Sequence, residues 1–455
     1  MFSAFLNIFK VKDLRTRILF TAMIIVLVRF ACNIPCPGVN AAALSEYMAK
    51  MAADNAGNAA GGLLGMLSIF SGGAIEKFAI GALGIMPYIT ASIVMQLLTP
   101  VLPALEKMQR EGESGHQRIN QYTRYLTILV CILNGMMVAM TIVNPARFQM
   151  PAPEKILYVG NVHLFVSMSI IVLTATTMLF MWLGEQVTER GIGNGVSIII
   201  TINIIARMPD AVLELGRMTR AGEMINGASF KPVHLLLLLL LFVIVTAATI
   251  VLSQGYRRVP IQMVRKTIGS QLTGGSTYMP LKVNFAGVMP IIFAGAIMMA
   301  LGLLFGALHW GRAAHFIQHG TWSYLFSEGL LIMIFSYFWV ANQFNPIQIA
   351  DNLKKEGAYI PGISPGAPTS EFLDRTMTQV TFGGAIFLVV IALFPMFLFS
   401  MFKLPFLVTR FFGGTSLLIM VGVTLDTMRQ LESHLTMRHY EGFLKSGRIR
   451  GRGGR

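Results

Sequence analysis

Long apolar stretches separated by polar segments run along the whole chain, at roughly 18–36, 78–99, 124–144, 162–183, 195–213, 233–253, 285–307, 328–345, 380–400 and 405–425. Each approaches the ~20 residues with which a helix crosses a hydrocarbon layer about 30 Å thick, so the pattern predicts ten membrane spans. Ten spans return both ends to the same side. Ahead of the first span, Phe2, Phe5, Leu6 and Phe9 share one helical face and basic residues follow, as in a helix lying on a membrane surface. Lys10, Lys12, Arg15 and Arg17 before an apolar stretch resemble a cleavable signal, but Arg29 interrupts that stretch and many apolar runs follow. Retention is therefore expected.

Two features depart from a plain bundle. The segment GGLLGMLSIFSGGA at 61–74 is apolar but too short to cross. One reading makes it a half-inserted helix, broken from the next span by Gly72 and Gly73, in a cavity open to one side. The other makes it a loop resting on the lipid. Irregular backbone at membrane depth has to be shielded by protein or line a watery cavity. Second, GVSIII at 195–200 and GTSLLI at 414–419 resemble one another in the fifth and tenth spans. A five-plus-five repeat would leave such a trace, its odd span count inverting the halves about an axis in the membrane plane; chance similarity would leave it too.

Composition supports the membrane assignment, with 54% hydrophobic residues and only 13% charged ones. A soluble chain carries about twice that charge. The formal charge of +15 could point to nucleic acid, anionic lipid or acidic partners, so its placement matters. Of the 36 Lys and Arg, 24 lie in alternate loops counted from the N-terminus and 10 in the opposite loops. Basic residues resist translocation, so both termini are expected in the cytoplasm, and orientation accounts for most of the excess. Cys32, Cys36 and Cys131 sit in apolar surroundings and read as small packing residues. The eight His are scattered, and no metal, cofactor or catalytic constellation emerges.

The spans are poor in charge: 78–105, 235–254, 283–308 and 380–401 contain no charged residue. Arg29, Glu185, Glu189 and Asp426 fall near span ends, where long side chains reach water. Pumps and ion-coupled carriers need such groups at depth. An apolar interior instead suits a pore with an apolar collar, which excludes ions by dewetting. Three polar, basic segments lie on the expected cytoplasmic side: EKMQREGESGHQR at 106–118, SQGYRRVPIQMVRK at 253–266 and NLKKEGAYIPGISPGAPTSEF at 352–372. They read either as topology determinants or, given the length of the last two, as docking sites for a partner.

These loops, with FSGGA, ALGIMPYITASI, QYTRY, WLGEQVTERGIGNGVSIII, MPLKVNFAGVMP, NPIQIADNLKKEGAYIPGI and FGGTSLLI, resemble the SecY family of protein translocation channels over nearly the whole chain and in the same order. The resemblance implies an all-α polytopic membrane protein of ten transmembrane helices in two inverted five-helix halves around a central pore. Those halves would be 1–214, with the plug at 61–74, and 215–455, with docking loops 254–283 and 345–379 and a basic C-terminal tail. It also implies a non-enzymatic channel in the bacterial cytoplasmic membrane. Unfolded secretory polypeptides would cross it, and membrane segments would leave sideways into lipid between the second and seventh spans. The expected partners are SecE, SecG, the SecA motor or the translating ribosome, client proteins and membrane lipids, without a small-molecule substrate or cofactor.

Matching the family's motifs places the pore ring at Ile85, Ile89, Val196, Ile200, Ile292 and Ile419, and the plug at Leu63, Leu64, Met66, Leu67, Ile69, Phe70, Gly72 and Gly73. Partner docking would fall to Arg257, Arg258, Arg265, Lys266, Lys354 and Lys355. Two positions depart from the family's pattern. Val196 stands where Ile is common, and PGISPG puts Ser364 where the family commonly has Arg. Two other classes compete. A secondary transporter requires ionisable ligands near mid-membrane, and a scaffold without a pore predicts no leak when 61–74 is deleted.

Overall fold

Lipid offers a freed amide no hydrogen-bond partner, so an apolar run closes its own backbone bonds as helix. The computed structural model describes residues 12–40, 43–44, 71–143, 161–221, 224–225, 228–229, 232–263, 266–268, 271–273, 276–307, 310, 313, 316, 321–402 and 414–446. In chain order its elements are α1 (Lys12–Ala31), α2 (Met86–Leu98), α3 (Pro103–Arg110), α4 (Glu113–Val143), α5 (Val162–Arg190), α6 (Gly195–Ala206) and α7 (Met208–Ala221). There follow β1 (Met224–Ile225), β2 (Ala228–Ser229), α8 (Pro232–Gln254), β3 (Tyr256–Met263), β4 (Lys266–Ile268), β5 (Gln271–Thr273) and β6 (Ser276–Lys282). The series ends with α9 (Met289–Ala307), α10 (Trp322–Gln343), α11 (Pro346–Lys355), β7 (Ala358–Tyr359), α12 (Ala367–Phe402) and α13 (Gly414–Ser446). The N-terminal surface helix, the tail beyond 446 and plug residues Leu63, Leu64, Met66, Leu67, Ile69 and Phe70 lie outside the described residues.

Among the described residues, five helical stretches are long and apolar enough to cross a membrane: 113–140, 162–190, 195–217, 322–355 and 367–394. The pair α2 and α3, bent by 100° at its break, makes a sixth if counted as one span. Several helices outrun the apolar segments that predicted them. α4 starts at Glu113 and α12 at Ala367, because a helix entering water keeps its own hydrogen bonds and needs only a polar surface there.

The described residues divide into two compact units, 12–208 with 423–446, and 209–422. In the first, α4 packs on α2 and α5, and α5 on α1 and α6. Its core joins Cys36, Val39, Ile75, Phe78, Leu83, Ile142, Phe165 and Leu173. In the second, α10 packs on α9 and α12 around Val245, Ile291, Ile332, Leu388, Leu417 and Leu418.

The fold is mostly but not wholly helical. In the second unit β3 pairs antiparallel with β6, from Tyr256↔Lys282 to Gln262↔Ser276, and takes β7 on its other edge at Gln262↔Tyr359 and Met263↔Ala358. The two docking loops predicted from 254–283 and 345–379 thus share one three-stranded sheet.

Candidate functional site

Ser71 to Ile85 is where the structure departs furthest from expectation. The second span, predicted from 78, begins as helix only at Met86; the residues before it form consecutive turns. Gly72, Gly73 and Gly84 have φ of 62°, 85° and 57°, and Phe78, which has a side chain, has 44°. An L-residue in that region gives up roughly 1–2 kcal/mol. Packing offsets this cost: Phe78 is fully buried with its ring 6.0 Å from that of Phe165. The freed backbone is satisfied by protein, as Cys36 N donates to Phe78 O at 2.8 Å and Ile80 N to Ile34 O at 2.8 Å. This non-helical segment is therefore shielded by protein and hydrogen-bonded, as one at membrane depth has to be.

A polar group surrounds the glycine corner. Arg29 Nη1 donates to Gly72 O at 3.2 Å and to Asn203 Oδ1 at 3.5 Å. Arg207 forms an ion pair with Glu76. Asn203 is fully buried and Arg207 only 8% exposed. Arg29 was expected to reach water from a span end, yet it points at protein backbone. Arg207, at the border of the predicted fifth span and the segment that follows it, caps α6. The expectation of an interior without charge needs a second correction: Glu328, at the edge of a predicted run, lies inside α10 and is 3% exposed. An ionisable residue inside a span is a functional signal in its own right, and that signal could have found Arg207 and Glu328.

The residues expected to form a ring sit on or beside four helices. Ile85 precedes α2 as its N-cap, Ile89 lies on α2, Val196 and Ile200 on α6, Ile292 on α9 and Ile419 on α13. Ile85, Ile89, Val196 and Ile200 belong to the first unit, Ile292 and Ile419 to the second. Ile85, Ile89, Ile200 and Ile419 are buried, whereas Val196 and Ile292 keep part of their surface open. On α9 the neighbours Ile291 and Phe293 are 1% and 3% exposed, so Ile292 faces away from the core they join.

The GIGNG motif between α5 and α6 is bonded to α1 and α13. Arg17 donates to Gly191 O at 3.5 Å, Ile192 N to Thr21 Oγ1 at 3.3 Å and Gly193 N to Gln430 Oε1 at 2.8 Å. Gly193 has φ +79°, and a Cβ there would lie 3.0 Å from Ile198 Cδ1, which accounts for glycine. Asn194 caps α6 by accepting from Ser197 N at 3.2 Å. Gly195 lets α6 close on α5: an added Cβ would overlap the Gly184 carbonyl.

On the three-stranded sheet and the helix α11 before its last strand, Arg257, Arg258, Lys354 and Lys355 are exposed while Val259, Ile261, Leu281 and Ala358 are buried. Arg258 lies over the Tyr256 ring at 5.3 Å and donates to its hydroxyl at 3.0 Å, a bond that holds the guanidinium above its ordinary pKa. Lys266 enters through its backbone, in β4; Arg265 lies outside the described residues. Ser364 is exposed, and its carbonyl accepts from Thr369 Oγ1 at 2.8 Å.

Apolar helices, a shielded non-helical stretch beside polar residues, and a basic sheet projecting from the helix ends define a polytopic α-helical membrane protein. The SecY family model matches residues 79–428. The protein translocase subunit SecY of Thermotoga maritima is 40% identical over 99% of this chain and 100% of its own length, and that of Streptomyces griseus 41% identical over 98% and 100%. The chain belongs to the SecY family. Solved structures share the fold at low identity. A protein-conducting channel matches with a TM-score of 0.62 and 16% identity, covering 92% of this chain and 91% of the other. A SecY whose plug domain stabilises the closed state and maintains a membrane seal matches at 0.58 and 16%, and Sec61 in a canine ribosome-channel complex from the endoplasmic reticulum at 0.58 and 15%, each with the same coverage.

Proposed function

We propose that this chain is a gated, passive protein-conducting channel of a bacterial cytoplasmic membrane, with both termini cytoplasmic. It carries ten spans in two inverted halves, 1–214 and 215–455. The observation that carries the reading is identity of about 40% along the full length to proteins named as SecY translocase subunits. The part-exposed Ile292 supports placing Ile85, Ile89, Val196, Ile200, Ile292 and Ile419 around an apolar waist. Residues 61–74 plug it, and the glycine corner at 72–73 joins the plug to the turns that lead into α2.

An apolar waist repels ions while offering a sliding polypeptide few adhesive contacts. Opening between α2 and α9 lets apolar segments partition into lipid, each central Leu, Ile, Phe or Val favouring exit by about 0.3–0.6 kcal/mol. Secretion needs work from outside the chain, supplied by SecA or by a ribosome pressing on Arg257, Arg258, Arg265, Lys266, Lys354 and Lys355; SecE and SecG complete the membrane complex. A ribosome-bound Sec61 among the fold relatives supports the docking side of this reading. The test is single-channel conductance of the assembled translocase lacking 61–74. A persistent ion leak is expected, and unchanged conductance sinks the channel reading.

A further inference from the structure

We infer that Arg29, Glu76, Asn203 and Arg207 are positioning residues that clasp the glycine corner and set how firmly the channel rests shut, an inference that depends on the channel reading above. The four come from three separated segments. Arg29 lies in the last turn of α1, Glu76 in the turn region, and Asn203 and Arg207 four residues apart along α6. That spacing puts Asn203 and Arg207 on one helical face.

The fit is close. A Cβ on Gly72 would run into the Arg29 guanidinium and lie 3.2 Å from Asn203 Cα, and one on Gly73 would lie 2.9 Å from Arg207 Cζ. Each arginine thus packs against the backbone of one glycine, which is bare because nothing larger fits. Arg29 also bonds the Gly72 carbonyl, and Arg207 holds Glu76 three residues after Gly73. The Arg207 side chain is 10% exposed and that of Glu76 39%.

These contacts differ in kind from the apolar packing that fixes the rest of the segment. Ile75, Phe78 and Leu83 are sunk in the core of the first unit, and pulling them out would expose oily surface. The corner itself is held by charge and hydrogen bonds, which water can replace once the corner lifts. Losing either partner of the Glu76–Arg207 pair, whose guanidinium side is 10% exposed, removes that attraction from the closed state. The clasp therefore biases the closed state specifically.

The test measures resting ion leak and export of a signal-defective precursor in the assembled translocase. Glu76→Gln and Arg207→Gln are each expected to raise leak about tenfold. The exchange Glu76→Arg with Arg207→Glu is expected to bring it back within about threefold of wild type, a rescue that a general loss of fold does not give. Asn203→Asp sets a carboxylate beside Arg29 and is expected to tighten the seal and lower export of the defective precursor. If Glu76→Gln fails to accumulate, Glu76→Asp, which keeps the charge and shortens its reach, is expected to leak at an intermediate level. Deletion of 61–74 is run alongside. A leaking deletion with silent clasp variants overturns the clasp and spares the channel, whereas a silent deletion overturns the channel reading itself.

Discussion

Gly73→Ala asks how much of the closed state is held at one backbone position. Gly73 has φ +85°, and the new Cβ would stand 2.9 Å from Arg207 Cζ and 3.0 Å from its Nε. The left-handed backbone alone costs alanine roughly 1–2 kcal/mol. Overfilling a packed site adds about 1–3 kcal/mol, and Arg207, tied to Glu76, has little freedom to retreat. Taking the low end of the total, about 2 kcal/mol borne by the closed state alone shifts the closed-to-open ratio roughly thirtyfold, at 1.36 kcal/mol per factor of ten. Gly112 supplies the control: its φ is +79°, but an added Cβ meets nothing within 4 Å. Gly112→Ala therefore carries the backbone penalty without the collision and lies in the turn between α3 and α4. In planar bilayers Gly73→Ala is expected to raise resting conductance of the translocase by that factor while Gly112→Ala stays at wild-type level. Equal conductance in the two variants, with normal accumulation of both, would refute the reasoning.

Other substitutions reach different parts of the molecule. Ile292→Asn and Ile419→Asn are expected to wet the waist, raising ion leak and letting signal-defective precursors through; unchanged conductance together with unchanged export removes these residues from the ring. Gly195→Ala drives a Cβ into the Gly184 carbonyl and is expected to cost about 1–3 kcal/mol of stability, seen as a fall of several degrees in the unfolding temperature of the detergent-solubilised protein. Ser364→Arg alters an exposed side chain and keeps the carbonyl that Thr369 bonds, so export is expected to stay within a few-fold of wild type in a reconstituted secretion assay.

Much of the helical framework could be read from hydropathy, because a span must be apolar along its whole length whatever it packs against. The start of the second span could not. Residues 78–85 are as oily as those that follow, and the left-handed turns at Phe78 and Gly84 leave no mark on hydropathy. The pairing of Glu76 with Arg207 was equally hidden, since neither residue has a local pattern that names the other. The sheet is a different case. RRVPIQ alternates in burial, with Val259 and Ile261 inward and Pro260 and Gln262 outward, a two-residue period visible in the sequence itself. The family's motifs supplied the proposed docking and ring positions, but Arg29, Glu76, Asn203 and Arg207 lie outside those strings and needed coordinates.

Strand β7 meets β3 at only two residue pairs, and that small seam has a mechanical consequence. Anything that pushes on the Lys354–Lys355 helix end loads the Tyr256–Lys282 ribbon as well, so the two projections act as one bracket tied at the end of β3 away from α8. A protease cut in the hairpin beyond Met263 would leave the two arms joined at that seam. Cutting the seam instead, by proline at Tyr359, would let each arm yield separately under the same load.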